Sequence, residues 1–205
     1  VLYVLAADRI LQTDADMGIV QQMIDNAPID PATGNKRNPF AAFGTPQRGD
    51  LLYKDLNGDG IVDNQDRYIL GTGGVPLLNY GIQLGLQWKG FDFACLLQGT
   101  SSLKDFWMDD WRTPTPATTN LVSKEIADGR WYTGRTDATY PRLLTSAAAI
   151  NKANSDFWVV DKAYLRVKNI QLGYRIPKNI SRKLAVESIR LYGSLENFLT
   201  FTKYT

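Results

Sequence analysis

Strict two-residue alternation of apolar side chains, aromatic residues at the ends of the alternating runs, and connections that are by turns very short and very long predict an all-β chain. More specifically, they predict a portion of a large antiparallel transmembrane β-barrel with long extracellular loops. The clearest run starts at Tyr80: Tyr80, Ile82, Leu84, Leu86 and Trp88 fall on one face of a strand, and Gly81, Gln83, Gly85 and Gln87 on the other. After Lys89-Gly90 a second run puts Phe91, Phe93, Cys95 and Leu97 on one face, so the pair reads as a β-hairpin with a tight turn. Further on, Ile170, Leu172, Tyr174 and Ile176 alternate with Gln171, Gly173 and Arg175, while Leu165 and Val167 lie in the opposite phase. The phase change near Lys168-Asn169 predicts a β-bulge, or a shift between membrane and extramembrane parts of one long strand. The run from Ile189 to Phe198 alternates less cleanly.

Alternation alone also suits a soluble sandwich, in which the apolar face packs on a second sheet. Three details favour the barrel. The apolar stripe begins and ends with aromatics, Tyr80 and Trp88; the opposite face carries Gly and Gln; and connection lengths alternate. Short turns are periplasmic in such barrels, which orients the chain. Residues 1–7 are then an outward strand, 8–78 an extracellular loop, 79–100 the hairpin, 101–156 a second extracellular loop, and 157–205 two further strands. The last two strands are joined at Pro177 to Glu187, where one helical turn follows the proline. Within the first loop, Thr13-Asp14-Ala15-Asp16 ahead of Met17 to Ile24 predicts a short capped helix, with an irregular loop as the alternative because of Gly18.

Composition excludes several classes of function. The 205 residues carry 23 Lys+Arg and 21 Asp+Glu, a net charge of +2, which gives no footprint for a nucleic-acid partner. With one cysteine, Cys95, and no histidine, an internal disulfide, a His-containing zinc site and Ser-His or Cys-His catalysis are all excluded within the chain. No stretch approaches the roughly 18 to 20 apolar residues of a membrane helix, which excludes helical spanning only. Nothing at Val1 resembles a signal peptide, and the chain reads as a piece of something longer.

Asp55 to Asp66 carries the one metal-like motif. Asp55, Asn57, Asp59, Asp63 and Asp66 take positions 1, 3, 5, 9 and 12 of a calcium-loop pattern, the Ile61 carbonyl takes position 7, and Gly60 supplies the turn. Val62 is expected to point into apolar packing. Asp66 stands where an EF-hand has Glu and reaches a bidentate pose less easily, so the loop is closer to the dockerin type. The alternative is an Asn/Asp/Gly-rich turn without metal. A structural Ca2+ is the expectation.

These residues together carry a family resemblance. The stretches are Gly49 to Lys54 running into the calcium-like loop, Asn79 to Ile82 with Lys89 to Phe93 and Gln98-Gly99, Asp161 to Tyr174, and Ile189 to Tyr192 with Glu196 to Thr200. The chain resembles the C-terminal part of the SusC/RagA family of TonB-dependent outer-membrane transporters. The resemblance implies a parent barrel of about 22 strands around an N-terminal plug, in the outer membrane of a Gram-negative bacterium and in contact with its lipid. It implies import of oligosaccharides or peptides with a SusD-like surface lipoprotein as lid, energised by the TonB complex through N-terminal parts that this sequence does not contain. It also implies that further terminal strands follow Tyr204-Thr205.

Substrate contact is expected at Trp107, Trp111, Trp131 and Tyr132 in the second loop, because aromatic rings stack on sugar faces or peptide side chains. Asp105, Asp109, Asp110 and Arg112 add polar groups nearby. The same aromatics would alternatively hold the loop together or meet the lid. No pairing of carboxylates such as Asp92, Glu125, Asp128 and Glu196 points to catalysis, so no enzyme activity is expected. The competing reading is a secreted, calcium-stabilised β-sandwich that binds carbohydrate.

Overall fold

A computed structural model describes residues 1–107, 122–144 and 149–203. The chain divides into two compact units, Val1–Gly71 with Phe106–Val159, and Thr72–Asp105 with Val160–Thr205.

The second unit is built on the residues with the clearest alternation. Strands β5 (Leu78–Trp88), β6 (Phe91–Ser101), β9 (Tyr164–Arg175) and β10 (Arg190–Thr202) form one antiparallel sheet in the order β10-β9-β6-β5. Lys89 and Gly90 take positive φ of 44° and 89°, as a two-residue hairpin turn requires, and Trp88 pairs directly with Phe91. Between β6 and β9 the register steps from Leu96 opposite Asn169 to Leu97 opposite Val167, so Lys168 is the extra residue of a β-bulge. On its other side β10 steps from Glu196 opposite Asn169 to Leu199 opposite Val167. Asn197 absorbs that step with φ 51°. The phase change predicted near Lys168-Asn169 is therefore a bulge, and it keeps Leu165 and Val167 on the same face as Ile170 and Leu172.

Register then decides what each face carries. Leu84, Cys95, Ile170 and Leu195 lie in one cross-strand row, and Leu86, Phe93 and Leu172 in the next. This apolar face is open: Leu84 is 51%, Leu86 66% and Leu172 55% exposed. The other face carries Gln83, Gln87, Asp92, Gln98, Gln171 and Arg190. Arg190 Nε donates to Asp92 Oδ1 at 3.0 Å, reaching across the intervening β9. Gly173 makes that crossing possible, since a Cβ there would lie 2.6 Å from the Asp92 oxygens. Pro177 ends β9; helical turn α4 (Lys178–Ser181) and a 3-10 turn (Arg182–Leu184) follow, and Ala185 closes it at φ 54°. This is the helical turn expected after the proline.

The first unit has a core of its own. β1 (Leu2–Leu5) pairs with β4 (Arg67–Gly71), and β2 (Ala7–Ile10) with β3 (Leu51–Tyr53). Within the span 1–7 the structure has strand Leu2–Leu5, paired with β4 in a two-stranded sheet, and β2 begins at Ala7. The segment read as an extended loop from residue 8 holds three strands and helix α1 (Asp14–Asp25). Thr13 caps α1, accepting from the Asp16 amide while Asp16 accepts from the Thr13 amide at 2.8 Å. Downstream lie β7 (Lys104–Phe106), α2 (Lys124–Gly129), α3 (Ala149–Lys152) and β8 (Val159–Asp161), with β7 paired to β8. Trp158, Tyr53, Phe40, Leu5, Leu11, Leu51 and Val62 are fully buried, each contributing about 1.5 to 3 kcal/mol by leaving water. No helix among the described residues is long and apolar enough to cross a membrane.

Candidate functional site

The aspartate-rich loop is closed by its own amides. Asp66, fully buried, accepts from the Leu56 and Asn57 amides at 2.8 and 3.2 Å through Oδ1, and from the Asp63 amide at 2.9 Å through Oδ2. Asp55 accepts from the Gly58 and Gly60 amides, both at 2.7 Å. Asp59 accepts from the Ile61 amide at 2.9 Å, Asn57 from the Asp59 amide at 2.9 Å, and Asp63 from the Gln65 amide at 2.6 Å. Gly58 and Gly60 have φ of 76° and 80°, which side chains resist. Val62 is in the core, as its position in the motif predicts. The donor set suits a hard cation in type and order, but among the described residues no group of three or more acidic side chains converges to hold a metal. The loop's closure is already supplied by hydrogen bonds.

Just before this loop sits a polar group that sequence reasoning passed over. Asp50 is 2% exposed and holds Arg142 through two bonds, Nε to Oδ1 at 2.7 Å and an Nη atom to Oδ2 at 3.0 Å. It also accepts from Asn151 at 2.9 Å and from the Gln47 amide at 2.9 Å. Asn151 in turn accepts from the Leu51 amide at 2.9 Å, so every bond demanded by this buried cluster closes on another part of the same unit. Asp156 is a second knot, accepting from the Ala7 amide at 2.8 Å and from the Tyr68 hydroxyl at 2.9 Å. Burial, together with that bond to a carboxylate, pushes the Tyr68 hydroxyl up to about 12. The only local signal for Asp50 was its place in the Gly49 to Lys54 stretch.

The aromatic residues expected at a substrate surface divide. Trp107 and Trp131 pack against the core cluster. Trp107 lies 6.1 Å from the Tyr140 ring, and Trp131 covers Gly49, where a Cβ would come within 2.3 Å of the indole. Tyr132 is 56% exposed with the Arg135 guanidinium over its ring at 5.7 Å. Trp111, Asp109, Asp110 and Arg112 lie outside the described residues.

What fold and site define is an antiparallel sheet with one polar and one open apolar face, and a structured insertion with its own core. The chain is similar to TonB-dependent receptors, SusC among them, and to the RagAB structures. It is 29% identical over 164 residues to TonB-dependent receptor P3 of Formosa agariphila, covering 78% of this chain and 15% of that protein. It is 28% identical over 161 residues to TonB-dependent receptor P39 of the same organism, and 25% identical over 162 residues to TonB-dependent receptor SusC of Bacteroides thetaiotaomicron. These cover 76% and 75% of this chain, and 15% and 14% of those proteins. No family model matches. Among solved structures, the RagAB peptide transporter shares the fold at a TM-score of 0.58 and 17% identity, over 98% of this chain and 19% of that one. The RagAB peptide importer in the closed-closed state matches at 0.53 and 19% identity, over 87% of this chain and 17% of that one. The chain spans about 15% of the length of the curated relatives it matches.

Proposed function

We propose that this chain is part of the wall and external mouth of a TonB-dependent transporter in a bacterial outer membrane. The observation that carries the reading is the two-faced sheet. One face holds apolar rows in which Leu84, Leu86, Leu172 and Leu195 are half exposed or more, while the opposite face pairs Asp92 with Arg190 and presents Gln side chains. Water does not suit the first face and lipid does not suit the second. A carbohydrate-binding sandwich would cover the apolar rows with a second sheet, and Leu86 at 66% exposure is uncovered.

Closure into a barrel of about 22 strands with partners beyond this chain follows from the same reading. The long excursions are external, and a SusD-like lipoprotein closes over them. The cargo is an oligosaccharide or a peptide, the latter being the cargo of the RagAB peptide transporter. Exposed Tyr132 with Arg135 is the part of the expected substrate surface open to cargo or lid, with Trp107 and Trp131 as its packed support. No reaction is catalysed here; TonB supplies the energy through the plug.

Calcium belongs to this proposal as a stiffener of the first excursion, held by Asp55, Asn57, Asp59, the Ile61 carbonyl, Asp63 and Asp66. Asp55→Ala with Asp59→Ala is expected to raise protease sensitivity of residues 55–66 and to abolish protection by added calcium, leaving the sheet folded. Equal cleavage of wild type with calcium and with chelator would remove the ion from the account. The transport reading is tested by deleting the parent gene and measuring growth on candidate glycans and peptides. Growth unchanged on all of them, with the protein recovered in the soluble fraction, would contradict it.

A further inference from the structure

Cationic side chains are concentrated at one end of the four-stranded sheet, where the two short connections lie. The hairpin turn and the Arg175–Arg190 connection carry Lys89, Arg175, Lys178, Arg182, Lys183 and Arg190 against Asp92 and Glu187. That is an excess of four in a chain whose total is +2, so the remaining residues are net acidic. Arg190 is engaged with Asp92. Among the described residues none of the other five cations is held in an ion pair, and all five are exposed.

Lys89 Nζ sits 4.9 Å from the centre of the Trp88 ring, the residue that ends the apolar stripe of β5. The Phe91 and Tyr174 rings lie 4.5 Å apart with their planes tilted by 40°, in the same terminal row. On the polar side of the same turn is a cavity of about 290 Å³ lined by Gln87, Trp88, Lys89, Phe91, Asp92 and Arg175, where Arg190 and Arg175 both act on the Asp92 carboxylate. Arg175 is fixed at its rim, since its amide donates to the Gly90 carbonyl at 2.7 Å. Aromatic rings at the edge of an apolar surface with unpaired cations just beyond them match the depth order of a lipid leaflet, acyl chain first and phosphate second.

We propose that this end of the sheet binds the phosphate headgroups of anionic phospholipid, with Lys89 contacting a phosphodiester beside Trp88 and with Lys178, Arg182 and Lys183 facing the leaflet surface. The inference rests on the membrane-wall reading. It adds a preference for charge in the lipid at the short-turn end, which that reading alone does not require.

The test uses the complete receptor purified in detergent and transferred to vesicles of phosphatidylcholine with or without phosphatidylglycerol. The readouts are insertion, thermal midpoint and phosphatidylglycerol retained in native mass spectrometry. Wild type is expected to retain phosphatidylglycerol selectively and to melt higher in its presence, an effect that weakens with salt. Each cation removed among Lys89→Gln, Lys178→Gln, Arg182→Gln and Lys183→Gln should weaken that affinity about fivefold, with insertion into neutral vesicles unchanged. Retention and midpoint shift identical in the fourfold variant would overturn the proposal. So would an equal midpoint shift from inorganic phosphate, which would make this a free-anion site, or a larger one from an acidic peptide, which would make it a protein contact. Failure to insert into any vesicle would instead refute the membrane-wall reading itself.

Discussion

Asp50 shows how much a single side chain can hold when its bonds are all internal. It is a buried carboxylate whose partners, Arg142 and Asn151, lie 92 and 101 positions away. Removing its charge leaves Arg142 without a partner at a site where the guanidinium is only 23% exposed. Asp50→Asn is therefore expected to lower stability by roughly 2 to 3 kcal/mol, somewhat below a fully buried pair, read as a drop in thermal midpoint and as earlier proteolysis within 1–71. Asp50→Asn with Arg142→Met should recover part of the loss. Tyr68 gives a pH signature. Its folded-state value lies above the ordinary 10.0, at about 12, so the folded form holds the proton more tightly than the unfolded chain does. The stability from its neutral hydroxyl is fully present below pH 10 and is lost as pH rises towards 12. Tyr68→Phe should flatten that part of the alkaline melting profile, and an unchanged profile would remove Tyr68 from the account.

The elements of the sheet were legible because their signals are local. Period-two alternation located β5, β6 and β9, Lys89-Gly90 fixed the hairpin, the phase slip marked the bulge at Lys168, and Thr13 with Asp16 announced α1. The first unit was less legible for the opposite reason. β1 finds its partner in β4 more than sixty positions away, and Trp107 and Trp131 look the same in sequence whether they meet cargo or pack on a core. The calcium-like spacing was visible, but the amides that occupy its carboxylates were not. Within the sheet, Gly173 is one of the positions where packing leaves little room. Gly173→Ala puts a Cβ 2.6 Å from the Asp92 oxygens and 2.8 Å from an Arg190 nitrogen, and should cost about 1 to 3 kcal/mol by overpacking. Combined with Asp92→Asn the two losses should be less than additive, because both act on one ion pair; strict additivity would contradict this geometry.

Taken as a molecule, the chain joins a sheet that cannot satisfy its own surfaces to a unit that can. β5 and β10 are both edge strands, 11 and 13 residues long, and long open edges call for neighbours. The apolar face needs a nonaqueous environment, whereas the first unit buries a core of its own around Trp158, Tyr53 and Asp50. The likeness to TonB-dependent receptors agrees with that division, and the cargo stays open because the aromatic surface is shared between packing and exposure.

The central claim is that the Leu84, Leu86 and Leu172 face meets lipid. Nitroxide labels placed one at a time from position 82 to 87 in the complete receptor, reconstituted in bilayers, would measure access to lipid-soluble oxygen and to a water-soluble relaxant. Oxygen access peaking at 82, 84 and 86, with troughs at 83, 85 and 87, is the predicted result. Equal access of the water-soluble relaxant at 82, 84 and 86 would place that face in water and contradict the membrane wall.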